Sequence, residues 1–143
     1  MSSYFIAVNL DRREFLHAHP FGDGLDFREF CGSSNGFLAG LAYLLRSAGA
    51  REHPDTVVGS WFGNRVALVA DNDSSRLYDH AYEAEFKDVS LAVIRAMVRC
   101  PTVKAALEAK TRWRRLEGCG NLLADAAERR FYREVFGGAD HPA

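Results

Sequence analysis

The sequence predicts an α+β fold: a single domain, residues 1–143, with a mostly antiparallel sheet of four to five strands packed against C-terminal helices and one central helix. Three observations lead there. Strand-length apolar runs dominate the first half of the chain, helical periodicity dominates the second, and no linker, repeat or low-complexity tract separates them. At 143 residues, 48% hydrophobic and 26% charged, the chain has the composition of an ordinary globular domain and can bury a core without disulfides.

Taken in order, Tyr4–Leu10 and Glu14–His19 are strand-length runs joined by Asp11-Arg12-Arg13, which reads as a first hairpin. Period-two alternation would put Phe15, His17 and His19 on one face of its second strand. Pro20, Gly22 and Gly24 break the pattern, and Leu25–Cys31 resumes it as a candidate edge strand. The turn Gly32–Gly36 then leads into a helix from Phe37 to Gly49, with Leu38, Ala42, Leu41 and Leu45 at helical spacing and Gly49 placed to cap it.

Gly63-Asn64 divides two apolar runs, so Val57–Phe62 and Arg65–Ala70 are predicted to pair as a tight hairpin with Val66 and Leu68 buried. Arg65–Ala70 is apolar on both faces and is the candidate central strand. A short helical pattern spans Leu77 to about Phe86. Lys87-Asp88-Val89-Ser90 offers N-cap residues for a helix running to Arg99, with Leu91, Ile94, Met97 and Val98 on one face. Pro101 suits the first turn of the next helix, Thr102–Glu117. The last helix, Leu122–Phe136, repeats Leu123, Ala127, Phe131 and Val135 every four residues and stops at Gly137-Gly138.

Net charge is −1, which gives the whole molecule no field to gather nucleic acid or acidic lipid. The charge is segregated, however. Asp71–Ser90 carries six acidic residues against Arg76 and Lys87, whereas Leu91–Arg115 carries seven basic ones against Glu108. No run approaches the roughly 20 apolar residues of a membrane span. The opening Met-Ser-Ser-Tyr lacks the basic and apolar regions of a secretory signal, so a cytoplasmic protein is expected. Cys31, Cys100 and Cys119 are odd in number and form no C-x-x-C pair, which suits reduced thiols.

"VN" in the first strand, "RREF", "PFGDG", "GSWFGNRVALVADND" and "LYDHAYEAEFKDVS" together resemble a group of small uncharacterised bacterial proteins. The resemblance covers about residues 4 to 100 and is most specific from Gly59 to Asp71. Phe62-Gly63-Asn64 departs from a more usual Ala-Gly-Asp, which removes a carboxylate at Asn64. The resemblance implies a compact domain and carries no catalytic residue across.

Four places could hold chemistry. His17 and His19, two apart on one strand face, could ligate Zn²⁺ or Mn²⁺ with Asp23 completing the set; the competing reading is a histidine-capped strand end with Asp23 closing a turn. Gly32, Ser33 and Ser34 could cradle an anion at the start of the Phe37 helix, beside Cys31, or simply cap that helix. Arg112, Arg114 and Arg115, with Lys110 and Trp113, could present a basic face, although a short patch framed by no recognised motif makes a poor nucleic-acid site. Trp61, next to Gly63, is either packed on the sheet or a contact for a partner.

The function expected from these readings is a small non-enzymatic binding or regulatory protein. Its partner would be another protein, a second copy of the chain included, or a small anionic ligand. Neither a cofactor nor a membrane is expected. Compact domains of this size are common in bacterial conflict and phage-related systems, a context that rests on analogy of size and resemblance. The alternative is a metal-dependent hydrolase using His17, His19 and Asp23.

Overall fold

The computed structural model describes residues 4–22, 36–47, 57–116 and 122–136, with the side chains of 84, 112–116, 122–125 and 127 outside the description. Among these residues the chain is α+β, a four-stranded mixed and mostly antiparallel sheet with five helices. The strands are β1 (Phe5–Asn9), β2 (Glu14–Leu16), β3 (Val66–Ala70) and β4 (Lys87–Asp88), in the order β3-β1-β2-β4. The helices are α1 (Gly36–Leu45), α2 (Leu77–His80), α3 (Ser90–Met97), α4 (Pro101–Leu116) and α5 (Leu122–Phe136). None of them is long and apolar enough to cross a membrane.

The β1–β2 hairpin forms as the sequence predicts, and Asn9 shows why. Its buried side chain accepts the N–H groups of Asp11 and Arg12, both at 2.9 Å, which turns the chain locally. Arg13 completes the turn in the left-handed region, at φ 55°. Asn9 also donates to Asn64 Oδ1 at 3.0 Å, tying this turn to the approach to β3.

The second hairpin does not form. Residues 57–64 coil through successive short turns, with N–H to C=O bonds from Ser60 to Val57, Phe62 to Gly59 and Asn64 to Trp61. Gly59 and Gly63 take left-handed φ values of 75° and 78° there, so glycine serves a coil and not a two-residue hairpin. The coil is pinned to α1, since Gly59 donates to Tyr43 and Trp61 to Leu44 through their backbones.

Among the described residues β3 therefore pairs with β1 alone, antiparallel from Phe5↔Ala70 to Asn9↔Val66. It is an edge strand, not the central one, and Leu68 is 42% exposed. The central position belongs to β1, whose Ile6, Ala7 and Val8 are fully buried between two apolar layers. One layer joins Ala7 and Leu16 to Phe37, Leu44, Trp61 and residues of α3, α4 and α5. The other is smaller and joins Ile6, Val8, Phe15 and Val69 to Ala81 and the flank of α2.

β4 was not foreseen; it pairs parallel with β2, as Glu14↔Lys87 and Phe15↔Asp88. The helix α1 begins where the periodicity puts it, but it ends at Leu45, short of the predicted cap at Gly49, and is turned on its axis. Phe37, Gly40 and Leu44 face the core, while Leu38 and Leu45 are exposed. Gly40 sets that orientation, because a Cβ there would come within 2.8 Å of the Phe21 ring. The predicted strand Leu25–Cys31 lies outside the described residues.

Candidate functional site

β2 ends at Leu16, three residues earlier than the alternation predicts. His17 follows it, and His19–Phe21 form a 3₁₀ turn closed by Gly22 at φ 78°. Gly22 lies against α4 so closely that a Cβ would meet the Lys110 carbonyl at 2.9 Å. Tyr132 of α5 is fully buried and donates its hydroxyl to the Pro20 carbonyl, locking the turn from the other side. The two histidines thus do not share a strand face.

His17 instead joins the junction of β2, β4 and α3. Its N–H donates to Ser90 Oγ at 3.0 Å, and Asp88 Oδ1 accepts the Ser90 N–H at 2.9 Å. The His17 ring places Nε2 2.9 Å from Asp88 Oδ2. Burial presses the Asp88 carboxyl upward, but the His17 hydrogen bond and charge, helped by Ser90, hold it below the ordinary carboxylate value. An ionised carboxylate only accepts, so Nε2 is the donor of this pair.

Beside that pair stands an aromatic row. Phe15 and Tyr82 have ring centroids 5.1 Å apart, His17 meets Tyr82 edge-on at 5.8 Å, and Tyr78 lies 5.0 Å from Tyr82. Tyr78 is on α2, and Tyr82 is on the π-helical turn Ala81–Glu85 that continues it. Such turns interrupt the regular bonding of a helix and are frequent at functional sites. Together Tyr78, Asp79, Tyr82 and Glu83 line an open cleft of about 460 Å³.

Burial raises the Tyr82 phenol above the ordinary tyrosine range, and Tyr78 and the Asp88 charge add to the effect. Tyr78 is raised too, first by burial and then by Asp71 and Asp79, against a lowering hydrogen bond from Tyr82. Both hydroxyls are neutral near pH 7. The charge in the cleft belongs to Asp79 and Glu83; Asp79 has Arg76 at 3.5 Å. Glu83 makes no ion pair among the described residues. Nearby, the Arg13 guanidinium sits 5.4 Å over the Phe86 ring, so this side of the molecule already holds one cation on an aromatic face.

Of the residues singled out from sequence, His17 falls within this corner and His19 lies in the adjacent turn. Asp23 lies outside the described residues, as do Gly32, Ser33 and Ser34. Among the described residues no three His, Cys, Asp or Glu side chains stand close enough to share a metal ion. Trp61 is fully buried, and its indole N–H donates to Glu14 Oε1 at 2.9 Å; the exposed aromatic of that coil is its neighbour Phe62. Arg112, Arg114 and Arg115 are on α4, but their side chains lie outside the description.

Sequence reasoning missed Asp88, Tyr78 and Tyr82. Asp88 sat inside a run read only as capping residues. The spacing of Tyr78 and Tyr82, four apart on a helical pattern flanked by Asp79 and Glu83, was the available signal. No family model, curated protein or solved structure matches the chain.

Proposed function

We propose that this chain is a small binding or regulatory protein without chemistry of its own, and that it seats a cationic side chain of a protein partner in the Tyr78–Tyr82 cleft. The observation that carries the reading is the composition of that cleft: two neutral phenols and two carboxylates, Asp79 and Glu83, around an open depression. Aromatic faces attract an ammonium or guanidinium through their quadrupole, and adjacent carboxylates add charge. The segment around the cleft, Asp71–Ser90, carries six acidic residues against Arg76 and Lys87, an excess that draws a basic partner surface from a distance. An immunity or phage-accessory protein would work this way, by covering a basic surface of its target. The acidity argues against the small anionic ligand at this position.

The test is an NMR titration with a short lysine- and arginine-rich peptide, using a glutamate-rich peptide as the control. The basic peptide is expected to move the Tyr78, Tyr82 and Glu83 resonances and the acidic one to leave them unchanged. Tyr82→Ala should weaken binding about 2- to 5-fold, the factor corresponding to one exposed cation–π contact of about 0.5–1 kcal/mol. Shifts confined to other surfaces would overturn the reading. A stoichiometric transition metal, lost with an activity on His17→Ala and His19→Ala, would replace it with the hydrolase.

A further inference from the structure

The failed second hairpin leaves a consequence at β3. Leu10 donates its N–H to the Arg65 carbonyl at 2.9 Å, and Asp71 donates to Tyr4 at 2.9 Å. In an antiparallel ladder, paired residues alternate between bonded and non-bonded positions. Arg65, Ala67, Val69 and Asp71 therefore direct their backbone groups toward β1, while Val66, Leu68 and Ala70 direct theirs away from it. Among the described residues no strand receives them. Of these outward groups, the Ala70 carbonyl accepts the Asp73 N–H at 3.2 Å and keeps a second lone pair.

We propose that two copies of this chain join through β3, edge to edge and antiparallel, about a two-fold axis at Leu68. That register alone overlaps the whole strand, and it pairs outward residues with outward residues: Leu68 with Leu68 of the second copy, and Val66 with Ala70. No charged residue lies between Val66 and Ala70. Just beyond the ends, Arg65 of each copy faces Asp71 of the other, so the flanking charges are opposite in sign. Each already holds an intramolecular partner and remains at the surface. Arg65 bonds Asp11 at 2.8 Å, and Asp71 Oδ1 accepts the Tyr4 N–H at 3.3 Å.

The half-exposed Leu68 side chains meet across the axis and cover each other. Backbone shape permits the pairing, because β3 follows an unbroken register with β1 and has no residue in the left-handed region. A strand pair of this length buries little area, so the dimer belongs to the weak, concentration-dependent class. The residues Val66–Ala70 of this edge do not line the Tyr78–Tyr82 cleft, and the occupancy of the edge is read independently.

Amide exchange provides the test, followed by NMR from micromolar to millimolar protein. The Ala67 and Val69 amides should be protected at every concentration, and those of Val66, Leu68 and Ala70 only as the dimer fills in sedimentation runs on the same samples. Leu68→Lys, which sets two like charges face to face, should remove the dimer and the protection at all three outward amides while Ala67 and Val69 stay protected. Leu68→Cys should cross-link to itself on oxidation above the wild-type background, since Cα atoms in bonded antiparallel pairs are about 5.5 Å apart, within disulfide reach. A monomer throughout the series overturns the proposal, as does a dimer that survives Leu68→Lys. Protection of the outward amides that appears only with an extended peptide from another protein would assign the edge to a foreign strand and overturn it equally.

Discussion

At one edge of the sheet β4 offers two residues, Lys87 and Asp88, both charged and both exposed. At the other, β3 offers five residues, none of them charged. Open edges are templates for pairing, and proteins blunt them with short strands, charge, proline or a bulge. β4 has the first two of these devices, and Asp88 is further tied down by His17 and Ser90. β3 has none. The contrast teaches that the absence of protection at β3 is local to that strand and not a general laxity of the fold. It also separates two kinds of apolar strand. β1 is apolar because it is covered on both faces, whereas β3 is apolar although one of its faces is only partly covered.

The largest effect that would break this contrast lies in β1. Ile6→Ala, which empties a fully buried site opposite Val69, is expected to lower unfolding free energy by about 2–5 kcal/mol in a denaturant titration. A loss below about 1 kcal/mol would mean that β1 is not the central strand. Next comes the joint that sets the register of both β1 neighbours. Asn9→Ala removes the acceptor for the Asp11 and Arg12 amides and the donor to Asn64, and should cost about 1–3 kcal/mol. The same variant should speed amide exchange in the 10–13 loop, which a purely packing defect elsewhere would leave unchanged.

The difference between β1 and β3 also marks how far the sequence could be read. The fold class and the helices follow from periodicity, and Pro101 begins α4 where a proline is tolerated. The rank of the strands does not follow. Tyr4–Leu10 and Arg65–Ala70 are both apolar runs, and only the coiling of residues 57–64 decides which becomes an edge. That coiling is held by Trp61, buried on α1 with its indole on Glu14, a tertiary contact that no local pattern contains. β4 is too short to leave a periodic trace. The orientation of α1 depends on Gly40 clearing Phe21, again a contact between segments far apart in sequence. At the candidate site, the aromatic spacing of Tyr78 and Tyr82 was legible. The meeting of His17 with Asp88 was not, because it needs the parallel pairing of β2 with β4.

Asp88 offers a smaller and pH-dependent test of the protected edge. Its folded value lies below the unfolded carboxylate value of about 3.9, so the stability it contributes is present above that pH and is lost as pH falls through the lowered folded value. The side chain is 41% exposed, and solvent screening limits the contribution to about 1 kcal/mol. Asp88→Asn should therefore be less stable than wild type by about that amount near neutrality. The gap should begin to close below about pH 4 and vanish only below the lowered folded value, where the wild-type carboxyl is neutral in both states. A gap that stays constant down to acid pH would show that the charge is not what secures this edge.

The smallest expected effect is at the open edge itself. Leu68→Ala, examined on protein dilute enough to be monomeric, should change unfolding free energy by only about 0.5 kcal/mol, the scale of surface substitutions. The reason is that Leu68, on the outer described strand, is 42% exposed, so truncation leaves no enclosed cavity and surrounding water follows the shortened side chain. The same leucine-to-alanine change in a closed core costs several-fold more, because the neighbours relax only partly into the vacated space. β-propensity adds a modest loss on an edge strand, within the same range. A loss of about 2 kcal/mol or more in the dilute monomer would require Leu68 to be packed within its own chain, and the distinction between an open β3 and a protected β4 would no longer hold.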